Sequence, residues 1–189
     1  MKTLFTTLSL LFTLCLFAQE EIAPTPEASI TSLQANLGTI HLVHERKISS
    51  KSTVRLEIGA RQRFRYSSPE VSPNYYGLQP VFGLSGRHYY NLAKRAERGQ
   101  NTANNSGNFV GLTAQYRPDF FLYNTNSSIT TNDHFSANAH WGLRRQLGRR
   151  FDFELTAGVN LRPGSRLVGR RSILGTSRPS INWRIGYRF

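Results

Sequence analysis

Ten arginines and five carboxylates sit at alternate positions, with apolar or small residues between them. In 53–66 the odd positions Arg55, Glu57, Arg61, Arg63 and Arg65 interleave with Val54, Leu56, Ile58, Ala60 and Phe64. Arg87, Arg117, Arg144, Arg162, Arg184 and Arg188 keep the same polar phase in later stretches, accompanied by Glu45, Asp119, Asp152 and Glu154. Guanidinium and carboxylate groups in this pattern do one of two things. Taken out of water they must pair, and they form a structural salt-bridge core. In surplus, arginines hold phosphate or carboxylate bidentately and form an anion site. The ratio favours a salt-bridged interior with excess positive charge. Short turns at 146–150 and 47–51 are expected to bring Arg144 to Asp152 and Glu45 to Arg55.

The elements that position these groups read as strands, because side chains alternate faces with period two. Candidates are 33–46, 53–66, 79–90, 108–122, 135–146, 151–162 and 180–189. In 151–162 Phe151, Phe153, Leu155, Ala157, Val159 and Leu161 oppose Asp152, Glu154, Thr156, Gly158, Asn160 and Arg162. The closing SINWRIGYRF does the same. These stretches run to 10–15 residues. Strands of soluble proteins are commonly about 5–6 residues long, whereas a tilted membrane-crossing strand needs about 9–11. Short connections (47–51, 146–150) alternate with long polar ones (67–77, 124–134, 163–179), as in barrels with short periplasmic turns and long outer loops. The expected fold is all-β, a transmembrane antiparallel up-and-down β-barrel of eight strands.

Seven stretches are one short of an even number. The eighth strand is sought in 22–31, which proline interrupts, or in a hairpin within 163–179; the first is preferred. Within 33–46 the apolar phase flips, from Leu33, Ala35 and Leu37 to Ile40 and Leu42. A bulge at Gly38 would restore a single face. A helical period appears only at NLAKRAERG, where Asn91 is placed to cap and Gly99 to stop a turn or two.

Residues 1–19 read as a secretory signal peptide: Lys2, an uncharged run from Leu4 to Phe17, then Ala18 and Gln19. The run is short for a membrane span. It holds the only cysteine and the only methionine, so the exported chain has no disulfide. Net charge falls from +13 to +12 without Lys2. For an exported chain, phosphate-bearing lipid or polysaccharide is the expected anionic neighbour, and nucleic acid is not. The domain plan is 1–19 signal, 20–32 lead and 33–189 barrel.

Trp183, Ile185, Tyr187 and terminal Phe189 resemble the C-terminal signal of Gram-negative outer-membrane barrel proteins, which the barrel assembly machinery reads. HYYNLAKRAERGQNTANNSGNF (88–109), with WGLRRQLGRRFDFELTAGV and RIGYRF, resembles small outer-membrane proteins of uncharacterised function that share a Tyr-Tyr-Asn…Asn-Ser-Gly-Asn pattern. That resemblance covers most of 53–189 and implies a barrel and export, with no activity. His134-Phe135-Ser136 resembles the His-x-Ser pattern of outer-membrane lipid A deacylases, which are also eight-stranded. It implies Ser136 as nucleophile and His134 as base. That family's acid would fall where Gly148 and Arg149 stand, which leaves Asp119 as the substitute. Alternation also turns His134 and Ser136 inward, away from a lipid substrate.

His41, His44, His88 and His140 lack metal-ligand spacing, and Gly83 to Gly86 is no phosphate loop. NNSG and NTNSS read as turn chemistry, and KRAERG as a solvated turn. No cofactor or metal is expected. The reading favoured is a small outer-membrane barrel with an ionic, plugged lumen and a structural or surface-contact role, partnered by outer-membrane lipids including lipid A phosphates. A lipid A deacylase-like hydrolase, a narrow anion-preferring pore and a soluble secreted β-protein are the alternatives.

Overall fold

A computed structural model of the chain describes residues 24–65, 75–126, 131–161 and 177–189. The segment read as a signal peptide, Arg162, the side chain of Arg65 and most of the stretch 163–179 lie outside the described residues.

Among the described residues nine strands follow in order: β1 (Ser29–Asn36), β2 (Thr39–Lys47), β3 (Ser52–Arg65), β4 (Tyr75–Tyr89), β5 (Asn108–Arg117), β6 (Tyr123–Asn124), β7 (His134–Leu147), β8 (Phe151–Leu161) and β9 (Ser177–Arg188). All pair antiparallel, each of the eight long ones with its sequence neighbours. β1 closes on β9, with Ser32 opposite Arg188 and Ala35 opposite Ile185. The result is a closed eight-stranded barrel, to which the two-residue β6 adds beside β4.

The strand count reaches eight because 33–46 divides; of the expected 22–31 only Ser29–Thr31 join a strand, and the hairpin sought within 163–179 falls mostly outside the described residues. The stretch 33–46 is two strands joined at Leu37 and Gly38, and Gly38 is a turn residue rather than a bulge. Asn36 makes this turn. Its Oδ1 accepts from the amides of Gly38 (3.1 Å) and Thr39 (3.0 Å) and from the Thr39 hydroxyl (2.8 Å), the local bonding that suits asparagine to tight turns. The phase flip is a consequence of the turn. With Asn36 opposite Thr39, every odd residue of β1 faces an even residue of β2. β1 also takes in Ser29–Ser32, the end of the stretch expected to be a lead.

One end of the barrel, here proximal, carries Pro24–Ala28, Phe189, the turns 48–51 and 148–150, and the connection 90–107. The distal end carries the 37–38 turn and the 118–133 connection. The expected rule of short turns at one end and long ones at the other therefore has an exception at each. Connection 90–107 holds helix α1 (Leu92–Glu97) and a 3₁₀ turn, Ala103–Asn105. Lys94–Glu97 of KRAERG thus belong to a helix whose Leu92 is buried. Gly99 ends it in the left-handed conformation (φ 64°), its amide donating to Ala96. Asn91 does not cap with its side chain; its Oδ1 accepts from the Asn108 amide at 2.6 Å. β5 stops at Arg117, short of 122, because Pro118 has no amide to continue the ladder.

The two faces divide as the alternation demands. Leu56, Ile58, Leu84 and Leu112 are 51–61% exposed on the outside. Arg55, Arg144 and Glu45 are fully enclosed inside. This inverts the usual distribution of a water-soluble protein, where charged side chains are the exposed ones.

Candidate functional site

The lumen has two parts. The proximal part is packed with charge. Glu154 on β8 is the hub: Arg87 binds it bidentately (2.8 Å to each oxygen), Arg55 at 3.1 Å and Arg144 at 3.2 Å. Arg55 also meets Glu57 through Nε at 2.7 Å and donates to Gln34. Arg184 grips Glu57 with Nη1, 2.9 and 3.0 Å from its two oxygens. Glu45 accepts from Arg144 (3.0 Å), Thr53 (2.9 Å) and the Tyr89 hydroxyl (2.9 Å). Four arginines thus stand with four carboxylates, Asp152 being the fourth, and this knot carries no excess charge.

The expected pairs are partly rearranged. Glu45 does lie opposite Arg55 in register, but their side chains choose other partners. Arg144 lies opposite Glu154 rather than Asp152, whose oxygen is 3.8 Å from Arg144 Nε. The 148–150 turn pairs Leu147 with Phe151 and so sets Gln146 against Asp152. Arg188 is not in the knot; it pairs at the proximal rim with Glu27, at 2.8 Å.

Connection 90–107 folds back into this end. Asn104 and Asn105, both in the left-handed region (φ 56° and 55°), are buried. Asn104 Nδ2 donates to Asp152 (3.1 Å) and Asn105 Nδ2 to Glu45 (3.0 Å). Asn105 Oδ1 accepts from the Glu27 amide and Glu27 Oε1 from the Asn104 amide, which ties the N-terminal segment to the same cap. Beneath Arg87, the Phe109 ring lies 4.4 Å from the guanidinium carbon, a cation–π contact, and packs on Tyr89 and Leu92. Gly142 makes room for that ring: a Cβ there would fall 2.8 Å from Phe109 Cε2. Asn104 and Asn105, read from sequence as turn chemistry, therefore belong to the site. The cue was two adjacent residues tolerant of positive φ inside a long connection.

Among the described residues the distal part is an open cup of about 920 Å³. Its floor includes His41, Glu57, Arg87, Glu154 and Arg184 from the top of the knot, and its walls carry asparagine, glutamine, threonine and serine. Arg61 and Arg63 line it near the mouth. Arg63 donates to Thr131 (3.1 Å) and weakly to Gln79 (3.4 Å), both neutral. Arg117 ends β5 on the same side, opposite His134.

Ser136 and His134 face this lumen. Ser136 is buried and lines the cup, opposite Gln115. Two residues apart on one strand, they are separated by about 6.8 Å of rise. Asp119 lies beyond the end of β5 and is exposed. Among the described residues no cluster of three or more histidine, cysteine or acidic side chains converges on a metal-sized point. Trp183, Ile185, Tyr187 and Phe189 all point outward, and Tyr187 stacks edge-on with Phe151 and Phe189.

No family model matches the chain, and no solved structure matches it. One curated protein shares 31% identity over 68 residues, a tRNA (guanine(26)-N(2))-dimethyltransferase of Pyrobaculum arsenaticum. The match covers 36% of this chain, which spans about a fifth of that enzyme's length.

Proposed function

We propose that the chain is an integral outer-membrane β-barrel of Gram-negative type, with a non-conducting lumen and a structural or surface-contact role rather than a catalytic one. The observation that carries this reading is the inverted wall. An apolar surface runs round the closed barrel while the charged residues are inside. Exposed in water, that belt would far exceed the apolar patches soluble proteins tolerate. In lipid it is the required surface, and closure leaves no unpaired strand edge. Two aromatic zones support it further. Tyr90, Phe151, Tyr187 and Phe189 sit outside near the proximal end, and Phe64, Tyr116, Tyr123 and Phe135 near the distal end. Transmembrane barrels carry such girdles at both interfaces.

On this reading the proximal end, which carries the short turns 48–51 and 148–150, faces the periplasm and the cup faces the cell surface, since transmembrane barrels keep their short turns on the periplasmic side. Partners on this reading are outer-membrane lipids, with lipid A phosphates near the arginine-bearing mouth, and the barrel assembly machinery, which engages Trp183, Ile185, Tyr187 and Phe189. The buried knot and its asparagine cap support a lumen closed to ions. The chain should fractionate with detergent-extracted outer membrane and show heat-modifiable mobility on gels. Recovery in the soluble periplasm would overturn the reading. Truncating Phe189 should lower the inserted yield.

The hydrolase reading has less support, because Ser136 opens into the cup and not towards lipid. Neither the unaltered protein nor Ser136→Ala should release acyl chains from lipid A. Release lost specifically in Ser136→Ala would establish the hydrolase instead.

A further inference from the structure

The distal cup has the lining of a binding site for a polar, anionic ligand. Its volume of about 920 Å³ lies within the roughly 300–1,000 Å³ of ligand clefts, but its chemistry is not the usual apolar one. The walls are rows of amides and hydroxyls. Asn138 Nδ2 donates to Asn160 Oδ1 and Ser180 Oγ, each at 2.9 Å, and Asn36 Nδ2 to Asn182 Oδ1 at 2.9 Å. Such bonds pre-order the amides and leave each with further donor and acceptor capacity, since an amide can make four hydrogen bonds. Paired donors and acceptors at fixed spacing match the vicinal hydroxyls of a sugar.

Charge supplies the second half of the argument. Four arginines line the cup, Arg61, Arg63, Arg87 and Arg184, against two carboxylates, Glu57 and Glu154. Glu57 and Glu154 are engaged by Arg184 and Arg87 themselves, so the surplus positive charge rests on the mouth, where Arg63 meets only the neutral Thr131 and Gln79 among the described residues. The field in the cup is therefore positive, and a low-dielectric wall around it focuses that field. On the floor, His41 is 2% exposed, and its Nδ1 has no hydrogen-bond partner among the described residues; Glu57 is 3.8 Å away. Beside it Arg184, held by Glu57 through one terminal nitrogen, keeps part of its guanidinium open to the cup. Tyr75 at the mouth offers a flat face.

We infer that the cup binds a short acidic oligosaccharide, its hydroxyls read by the asparagine walls and its carboxylate or phosphate directed to Arg63 and Arg184. The assignment rests on the membrane-barrel reading only for the side from which the ligand arrives. A free glycan and the sugar core of a neighbouring glycolipid share this chemistry.

The test uses the full chain, exported and folded in detergent, with calorimetric titration of trigalacturonate, its neutral methyl ester and maltotriose. Trigalacturonate should bind at least ten-fold more tightly than either neutral ligand. Arg63→Ala and Asn160→Ala should each weaken it five-fold or more while heat-modifiable mobility is retained. That mobility reports the barrel itself, so loss of binding is distinguishable from loss of the fold. Displacement of trigalacturonate by delipidated core oligosaccharide assigns the site to a resident glycolipid, and failure to displace assigns it to free glycan. Equal affinity for acid and ester, no binding at millimolar concentration, or unchanged affinity in both variants overturns the inference.

Discussion

Arg55 and Arg63 lie on the same strand, on the same face, eight residues apart, and occupy different media. Arg55 is fully buried among Glu57, Glu154 and Gln34. Arg63 is exposed and meets only the neutral Thr131 and Gln79 among the described residues. The proximal lumen is dry, so each charge there needs a counter-charge and the polar groups around it need partners. The distal lumen is wet, so an arginine there keeps its hydration and its charge stays available. The same inward alternation thus yields a stabilising knot at one end and a recognition surface at the other.

That contrast can be broken most directly at the hub. Glu154→Gln leaves Arg55, Arg87 and Arg144 without their shared carboxylate, and loss of one partner from a buried ion pair costs about 3–5 kcal/mol. Urea unfolding of the folded barrel in detergent should register a loss of that order. A loss below 1 kcal/mol would mean that the proximal lumen is as solvated as the cup.

The wall offers the next largest effect. Ile185 faces outward and Asn182 faces the cup. An arginine facing mid-membrane lipid costs about 2–4 kcal/mol, so Ile185→Arg should sharply reduce inserted yield. Asn182→Arg should be tolerated better, losing mainly the bond to Asn36. Equal damage from the two would refute the division of faces.

A smaller change sharpens the role of the 90–107 cap. Asn104→Ala removes the bond to Asp152 and puts alanine at positive φ. A buried acceptor left short of a partner costs about 1–3 kcal/mol. The unfolding midpoint should fall accordingly, and protease should cut 90–107 faster than in the unaltered protein. Arg63→Ala marks the bottom of the scale: an exposed substitution should stay within about 0.5 kcal/mol, whatever it does to ligand affinity.

Much of this was legible in the residues. Period-two alternation marked most of the strands and their faces, because the alternation of side chains is a local property of extended backbone. With them it marked the inward Arg55, Glu57, Arg87, Arg144, Asp152 and Glu154, though not the exposed Asp119 beyond β5 or the rim position of Arg188. The 37–38 hairpin was legible too, in the phase flip beside Asn36 and Gly38, but a bulge and a tight turn leave similar marks on a single strand. Only the pairing of β1 with both β2 and β9 separates them. The asparagine cap was hidden for another reason. Asn104 and Asn105 have the composition of any loop, and their burial depends on where the loop folds.

What the sequence determined by itself was a long-stranded all-β chain with charge on one face and apolar side chains on the other. Tertiary structure alone decided which arginine meets which carboxylate. Arg55 and Glu154, like Glu45 and Arg144, are 99 residues apart and on strands that are not neighbours. They meet because closure of the barrel carries side chains across the lumen, and the register and tilt of eight strands together set who stands opposite. Closure likewise divided one ionic face into a dry knot and a wet cup, since depth along the barrel axis is a property of the assembled sheet and of no single strand.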